Sequence, residues 1–165
     1  MKVDVPKPYI GFSKVKKDWI DANGHMNIGA YLNAFDDGSC AMFDDFGLGW
    51  EYTNAGKGTI FALSASQDFI QELLEKDPIK ITTWLISYDK CRIHIFQEMF
   101  HQDKHYLAAR AEFMFIHISL ATRRVSDIPD KAIARLNQIY EAHFDQVKSK
   151  FIGRKIGLKW KSSLG

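Results

Sequence analysis

Cysteine is scarce in this chain of 165 residues, and long apolar runs are missing from it. Two cysteines, Cys40 and Cys91, cannot build the disulfide framework of a small secreted protein, so the sequence favours a reducing compartment. No apolar run approaches the roughly 18 residues that a membrane-spanning helix needs. The first residues are polar and interrupted by proline, unlike a secretory signal peptide. We therefore expect a cytoplasmic protein that does not insert into a membrane.

Positive charge is absent from residues 18–56, which hold seven acidic residues and no lysine or arginine. The last residues show the opposite bias, because 147–165 contain six basic residues and no acidic one. The whole chain has 22 basic and 20 acidic residues, so 16 basic residues remain outside this tail. A body with net negative charge argues against nucleic acid binding. We expect one domain over 1–146 and a basic tail over 147–165.

Apolar residues recur at spacings of three and four in two segments, which predicts two helices. The first helix follows Asn27, a suitable N-cap, and stops near Gly47. Its predicted buried stripe is Ile28, Tyr31, Leu32, Phe35, Ser39, Met42, Phe43 and Phe46. The second, shorter helix opens at Pro129. Its predicted stripe is Ile133, Leu136, Ile139, Tyr140, Phe144 and Val147.

Segments rich in Ile, Phe, Thr, Trp and Tyr predict five strands, near 9–16, 59–70, 79–89, 91–101 and 106–119. Four of these strands follow one another between the two helices. Consecutive strands with short connections form antiparallel sheets, and a long amphipathic helix needs such a sheet to cover its apolar face. The sequence therefore predicts an α+β fold with one antiparallel sheet.

The segment Asp21–Asn27, directly before the first helix, combines a carboxylate, an amide and an imidazole. The backbone N–H groups of Ile28, Gly29 and Ala30 come next, and the first N–H groups of a helix lack intrahelical partners. Such donors, aimed at a carbonyl oxygen beside a fixed carboxylate, suit acyl transfer. Gly29 lets a substrate carbonyl approach the backbone. The alternative is that these polar residues only form turns and a cap.

Metal chemistry finds little support in the sequence. His101 and His105 flank a predicted hairpin turn, but no cysteine or carboxylate stands near them at the spacing of a zinc site. We expect both to be surface histidines and expect no metal site in the chain.

The stretch Asp21–Tyr31 resembles the active-site signature of hotdog-fold acyl thioesterases. It is similar to 4-hydroxybenzoyl-CoA thioesterase-like enzymes and, through Asp-x-Asn-x-His-x-Asn, to plant acyl-ACP thioesterases. The stretch Arg92–His101, with Tyr106–Ala109 after it, resembles thioesterases linked to carnitine breakdown, which are thought to hydrolyse betainyl-CoA. The resemblance covers about residues 9–145. It implies a hotdog fold: a long central helix wrapped by an antiparallel five-stranded sheet, with a short C-terminal helix.

The resemblance also implies roles for single residues. Asp21 would be the catalytic carboxylate, as nucleophile or as base on water, and the Ile28 N–H would polarise the thioester carbonyl. Asn23 and His25 would stand beside the carboxylate. The residues expected to contact substrate are Asn27, Gly29, Tyr31, Trp50 and Asp68. Coenzyme A would enter as part of an acyl-CoA substrate, without a further cofactor, and the protein would form a homodimer or a dimer of dimers.

The acidic segment also contains or adjoins several aromatic residues: Trp19, Phe46, Trp50, Tyr52 and Phe61. Aromatic faces with nearby carboxylates suit a quaternary ammonium group, at about 0.5–2 kcal/mol per cation–π contact. The same residues also suit an ordinary core or a dimer interface.

Two other functions stay open at this point. A hotdog enoyl-CoA hydratase would share the fold, although its expected Gly-Asp-x-Asn-Pro type of signature is absent. A non-catalytic protein that binds acyl-CoA or a metabolite would not need Asp21. The residues that hold the CoA phosphates also stay open among Lys57, Arg92, Arg123, Arg124 and the tail.

Overall fold

The computed structural model describes residues 4–147, 149–154 and 156. One long helix lies against a six-stranded antiparallel sheet. The strands are β1 (Tyr9–Lys14), β2 (Gly58–Phe69), β3 (Pro78–Tyr88), β4 (Arg92–His101), β5 (Leu107–Ser119) and β6 (Arg124–Val125). The helices are α1 (Ile28–Asp45), α2 (Trp50–Asn54) and α3 (Asp130–His143), and a 3-10 turn spans Lys17–Trp19.

The sheet has the strand order β1-β3-β4-β5-β2, and β6 pairs with β5. The five predicted strands are confirmed, and the architecture is the hotdog arrangement that the resemblance implies. The sequence did not predict β6, α2 or the 3-10 turn, because two to five residues are too few to show a period. Strand β2 occupies an edge of the sheet, and most of its residues are exposed or half-buried.

Helix α1 matches the prediction in position and in most of its buried face. The side chain of Asn27 caps it by accepting a hydrogen bond from the Ala30 N–H at 2.9 Å. Ile28 and Leu32 were predicted to be buried but are 70% and 40% exposed. The predicted stripe was drawn along the large apolar residues, whereas the line that meets the sheet includes small ones. The small buried residues that the prediction left out are Ala30, Ala34 and Gly38, whereas Ser39 is buried as predicted.

Two buried polar side chains from the sheet attach α1 to it. The Thr83 hydroxyl donates to the Gly38 carbonyl at 3.1 Å. The Gln97 amide donates to the Phe35 carbonyl and to the Thr83 hydroxyl oxygen, both at 2.9 Å. At Gly38 a side chain has no room, since an added Cβ would lie 2.7 Å from Cγ2 of Ile81. The helix therefore has a fixed position along the sheet.

Helix α3 covers β3 and begins after Pro129, as predicted. Leu136 and Ile139 are fully buried, in agreement with the predicted stripe. Phe144 is 63% exposed, because α3 ends at His143 and Phe144 already has an extended backbone. The prediction for Phe144 is therefore wrong.

His101 is not a surface residue, contrary to the sequence prediction. It is 2% exposed, and its Nδ1 accepts from the N–H groups of Asp103 and Lys104 at 3.3 and 3.2 Å. The imidazole thus satisfies the donors of the β4–β5 turn, a role that the spacing of histidines does not reveal. His105, at the other end of the turn, is exposed as predicted.

The first part of the basic tail packs on the sheet face opposite α1. The Gly153 N–H donates to the Glu112 carboxylate at 2.9 and 3.0 Å, and Arg154 pairs with Asp68. The tail residues Lys148, Lys155, Lys159 and Lys161 lie outside the described residues.

His143 predicts a pH dependence of stability. Its Nδ1 accepts from the Leu85 N–H at 2.9 Å and its Nε2 lies 2.7 Å from the Pro6 carbonyl, so the neutral ring satisfies both partners. Burial, with the charge of Lys7, lowers the pKa of His143 below its ordinary value of 6.5. Because the unfolded chain then binds the proton more readily, the free energy of unfolding should fall as pH drops below about 6.5, by at most about 1.4 kcal/mol per pH unit.

Urea unfolding at several pH values checks this expectation, with His143→Gln as the comparison. The variant should be less stable throughout, yet its stability should depend less on pH between about 7 and 5. Equal pH slopes for the two proteins would contradict it.

Candidate active site

The loop before α1 is closed by backbone pairing. Ile20 and Met26 form an isolated antiparallel bridge, and the Asp21 N–H donates to the His25 carbonyl at 3.1 Å. The Gly24 N–H donates a hydrogen bond to the Asp21 carbonyl at 3.0 Å. Gly24 has φ +82°, a left-handed conformation that favours glycine. The residues of the motif therefore form a tight loop of fixed shape.

The Asp21 carboxylate lies within this loop and remains accessible. Its Oδ1 accepts from the Asn23 N–H at 2.8 Å, and its Oδ2 lies 3.4 Å from the Asn23 amide nitrogen. None of the described lysine or arginine side chains forms an ion pair with it. Asn23 thus orients a carboxylate that keeps unused lone pairs, as a nucleophile or a base requires.

The first turn of α1 supplies hydrogen-bond donors next to this loop. Asn27 is anchored because its backbone N–H and its side-chain amide both donate to the Trp19 carbonyl at 2.8 Å. It caps the Ala30 N–H, whereas the N–H groups of Ile28 and Gly29 have no acceptor in the described part of the chain. A Cβ added to Gly29 would meet only the Asn27 Oδ1, at 3.4 Å. The space around Gly29 is open, so an incoming oxygen can reach this first turn.

His25 and Tyr31 border the loop in different ways. His25 Nδ1 lies 3.2 Å from the Met26 carbonyl, which can only accept, so Nδ1 carries a proton in this contact. Tyr31 is buried, and its ring packs edge-on against Phe69 at 5.1 Å. Burial raises the pKa of Tyr31 to about 12, although the Leu73 N–H partly offsets this rise. Tyr31 is therefore a core residue that packs against β2, and its side chain is not accessible to a substrate within one protomer.

Asp68 does not join the loop. It pairs in register with Arg110 on β5, accepts from the Arg110 Nε at 3.0 Å and also pairs with Arg154. Arg110 alternates with Ala109 and Ala111, which are buried toward α1, so Asp68 lies on the opposite face of the sheet. In the protomer Asp68 is therefore engaged in ion pairs with Arg110 and Arg154, and its expected contact with a substrate stays a prediction.

Trp50 also lies away from Asp21, at the far end of α1. It is 69% exposed and borders a pocket of about 110 Å³ between α1, α2 and the first residues of β2. The walls of this pocket include Asp36, Phe43, Asp44, Trp50 and Phe115. Asp36, Phe43, Asp44 and Phe115 were not predicted as a group, although the absence of basic residues over 18–56 indicates unpaired carboxylates.

The other aromatic residues proposed for an ammonium site have different environments. The Tyr52 hydroxyl is 3.0 Å from Nε2 of the buried His117, so it joins α2 to β5. Trp19 and Phe46 are buried in the core. Phe61 lies on β2, with the Arg123 guanidinium 5.6 Å from its ring. Of that set only Trp50 borders the pocket at the end of α1.

Two properties of the described residues bear on the class of site. Across 4–147, 149–154 and 156, no three His, Cys, Asp or Glu side chains are arranged to hold a metal ion. Within the same residues no helix has the length and apolar character needed to cross a membrane.

Comparison with curated proteins gives relatives over most of the chain. A betainyl-CoA thioesterase from Pseudomonas aeruginosa is 28% identical over 144 residues, which cover 87% of this chain and 91% of that protein. A Rhizobium meliloti protein named L-carnitine dehydrogenase/betainyl-CoA thioesterase is 29% identical over 147 residues, covering 89% of this chain and 29% of that longer protein.

Solved structures share the fold. A Staphylococcus aureus hypothetical protein in complex with CoA superposes with a TM-score of 0.85 at 23% identity, covering 96% of this chain and all of that one. A putative thioesterase from Pseudomonas putida KT2440 gives a TM-score of 0.79 at 23% identity, covering 95% of this chain and all of that one.

The family model for the thioesterase-like superfamily matches residues 15–136, a range that contains the Asp21 loop, α1 and strands β2 to β5. The chain belongs to the thioesterase-like superfamily.

Proposed function

We propose that this thioester hydrolase cleaves betainyl-CoA to betaine and free CoA, with Asp21 as the catalytic carboxylate. The observation that carries the proposal is the tight loop that holds an oriented, accessible Asp21 carboxylate and leads directly into the unpaired N–H groups of Ile28 and Gly29. The choice of acyl group is supported by the similarity to betainyl-CoA thioesterase over 87% of the chain.

Ile28 has the role of carbonyl activation in this proposal. The thioester oxygen accepts from the Ile28 N–H, and the positive end of the α1 dipole stabilises the negative charge that develops on that oxygen. Gly29 and the Asn27 cap keep this helix end open and in place. Asn23 holds the carboxylate, and His25 lines the loop beside it.

Asp21 then supports two routes to the same products. As a base it takes a proton from water while the water oxygen bonds to the carbonyl carbon, and the C–S bond breaks as CoA leaves and is protonated. As a nucleophile its oxygen displaces CoA to form a mixed anhydride, which water hydrolyses. Either route consumes one water and releases one carboxylic acid and one CoA thiol.

A homodimer formed through β2 is part of the proposal. Strand β2 pairs with β5 on one side, and its other edge carries exposed Phe61, Leu63 and Phe69. Proteins usually protect a long edge strand with charge, proline or a covering element. Between Gly58 and Gln67, β2 has no charged residue and no proline. A second copy that pairs with β2 in antiparallel fashion would satisfy this edge and bury its apolar side chains.

The proposed compartment is the cytoplasm, where the free thiols of Cys40 and Cys91 would be stable.

The two alternative functions are those of a non-catalytic acyl-CoA-binding protein and of an enoyl-CoA hydratase. A panel of betainyl-, short-chain, long-chain and hydroxybenzoyl-CoA, assayed with a thiol-reactive dye, separates them, because only a thioesterase releases a thiol.

Asp21→Asn should reduce turnover by roughly 10²- to 10⁴-fold, the usual contribution of a catalytic base. The amide keeps the size of the carboxylate and one acceptor oxygen for Asn23, so the affinity for free CoA should stay nearly unchanged. Thiol release and calorimetric titration with CoA measure the two quantities.

Asp18→Asn is the matched control, since Asp18 is exposed and lies outside the closed loop. It should retain wild-type turnover. Full activity in Asp21→Asn would remove Asp21 from the mechanism, whereas a wild-type protein that cleaves none of the panel would favour the binding protein.

Leu63→Asp should convert the dimer into monomers and lower turnover, because it places a charge at the middle of the β2 edge. Leu63 is 55% exposed in the protomer, so the fold itself should tolerate the change. Sedimentation velocity measures the oligomeric state. Phe12→Asp is the control, because Phe12 is 65% exposed on β1 at the opposite edge of the sheet. An undisturbed dimer in Leu63→Asp would refute the β2 interface.

A further inference from the structure

The pocket at the end of α1 combines aromatic walls with carboxylates. Phe43 and Phe115 pack edge to face at 5.0 Å and form part of its wall, and the exposed ring of Trp50 stands at its border. Its volume of about 110 Å³ is several times the roughly 10–15 Å³ that admits one water. The pocket therefore offers space for a small group together with aromatic surface.

The carboxylates of this pocket lack positive partners. Neither Asp36 nor Asp44 forms an ion pair with any described residue, whereas the nearby Asp45 is paired with Arg135 at 2.7 Å. Asp36 and Asp44 are both exposed in the protomer. Partial desolvation still raises the pKa of Asp36, and the charge of Asp37 adds to the rise. A cation bound in the pocket would stabilise the ionised form of Asp36, and aromatic faces attract quaternary ammonium ions.

The pocket cannot serve the Asp21 site of its own protomer. Asp36 lies about 12 Å and Asp44 about 24 Å beyond Ile28 along α1, at roughly 1.5 Å per residue. In a betainyl thioester one methylene separates the ammonium nitrogen from the carbonyl carbon, so these atoms are less than about 3 Å apart. An ammonium group beside Ile28 is thus beyond the roughly 6 Å range of a cation–π contact with this pocket.

A dimer formed through β2 brings the two features together. Helix α1 runs antiparallel to β2, because Tyr31 near its start contacts Phe69 at the strand's end. At the other end Asp44 shares the pocket with Thr59, near the strand's start. Antiparallel pairing of two β2 edges sets the start of one strand beside the end of the other. The first turn of α1 in one protomer then faces the pocket of its partner.

We propose that this pocket binds the quaternary ammonium group of the acyl chain whose thioester is cleaved at Asp21 of the partner protomer. Asp36 and Asp44 supply the negative charge, and Trp50 with Phe43 and Phe115 supplies the aromatic surface. Each active site is composite, with the carboxylate and helix end from one chain and the recognition pocket from the other. The inference depends on the proposed hydrolysis of betainyl-CoA and names the residues that select it.

The first test compares two acyl groups of the same shape. Betainyl-CoA and tert-butylacetyl-CoA differ only in nitrogen against carbon at the branched atom, so their ratio of kcat/KM isolates the charge. Asp36→Asn and Trp50→Leu should each reduce this ratio by roughly ten- to a hundredfold, mainly through a higher KM for betainyl-CoA.

Asp37→Asn is the matched control, because it removes a neighbouring carboxylate that does not line the pocket. It should leave the ratio within about twofold of wild type, since its charge lies outside the pocket and acts on the ligand through solvent, which screens it. Equal losses of the ratio in Asp36→Asn and Asp37→Asn would overturn the pocket, because the selectivity would then come from the overall negative charge of the acidic segment. An unchanged ratio in both pocket variants would also overturn it.

The second test asks which protomer supplies the pocket. A heterodimer of Asp21→Asn and Asp36→Lys chains, isolated with two affinity tags, has one site with both changes and one with neither if the site is composite. It should show about half the wild-type kcat per dimer at the wild-type KM for betainyl-CoA. If the pocket served its own chain, each site would carry one change and the wild-type KM would not return.

The outcomes separate this inference from the proposed function. If the wild-type protein cleaves no acyl-CoA, the proposed function fails. If it cleaves both isosteric thioesters with equal kcat/KM, the thioesterase stands and the ammonium pocket fails.

Discussion

The close contact between α1 and the sheet at Gly38 determines where both functional regions lie. An added Cβ at Gly38 would approach Ile81 Cγ2 to 2.7 Å, and one at Gly11 would lie 3.2 Å from the Gly38 Cα. Only glycine allows the helix backbone to approach β1 and β3 this closely. The end of the helix that carries Ile28 and the half that carries Asp36 are thereby fixed relative to the same sheet.

Hydrogen bonds from Thr83 and Gln97 define the position of the helix along this contact. Both side chains donate to carbonyl oxygens within α1. A carbonyl oxygen has two lone pairs, so it can accept this bond in addition to the usual hydrogen bond of the helix. Apolar packing alone tolerates small shifts of a helix, whereas buried polar groups lose their partners if it moves. A thioester carbonyl positioned by the Ile28 N–H requires such accuracy, because hydrogen bonds weaken steeply outside a narrow range of distance and angle.

The sequence predicted the helices and long strands because each extends over enough residues to show its period. It predicted the Asp21 loop because Asp21–Asn27 is local in sequence, and most of the hydrogen bonds that close the loop join residues within 19–27. The ion pairs of Asp68 with Arg110 and Arg154 were not predictable, because they join residues that are 42 and 86 positions apart in the sequence. The pocket could not be predicted from the sequence, because Asp36, Trp50 and Phe115 lie on three separate elements that only the tertiary fold brings together.

The composite site gives the acidic segment a mechanistic meaning. Asp36 and Asp37 repel one another, and neither forms an ion pair with a described residue, so a cation bound beside Asp36 would relieve part of this repulsion. A betainyl group would provide it and would also bring its positive charge within about 3 Å of the carbonyl carbon under attack. That charge would stabilise the developing oxyanion together with the Ile28 N–H. The pocket would then act on catalysis as well as on affinity, because it fixes the substrate's own charge where the reaction creates a negative one.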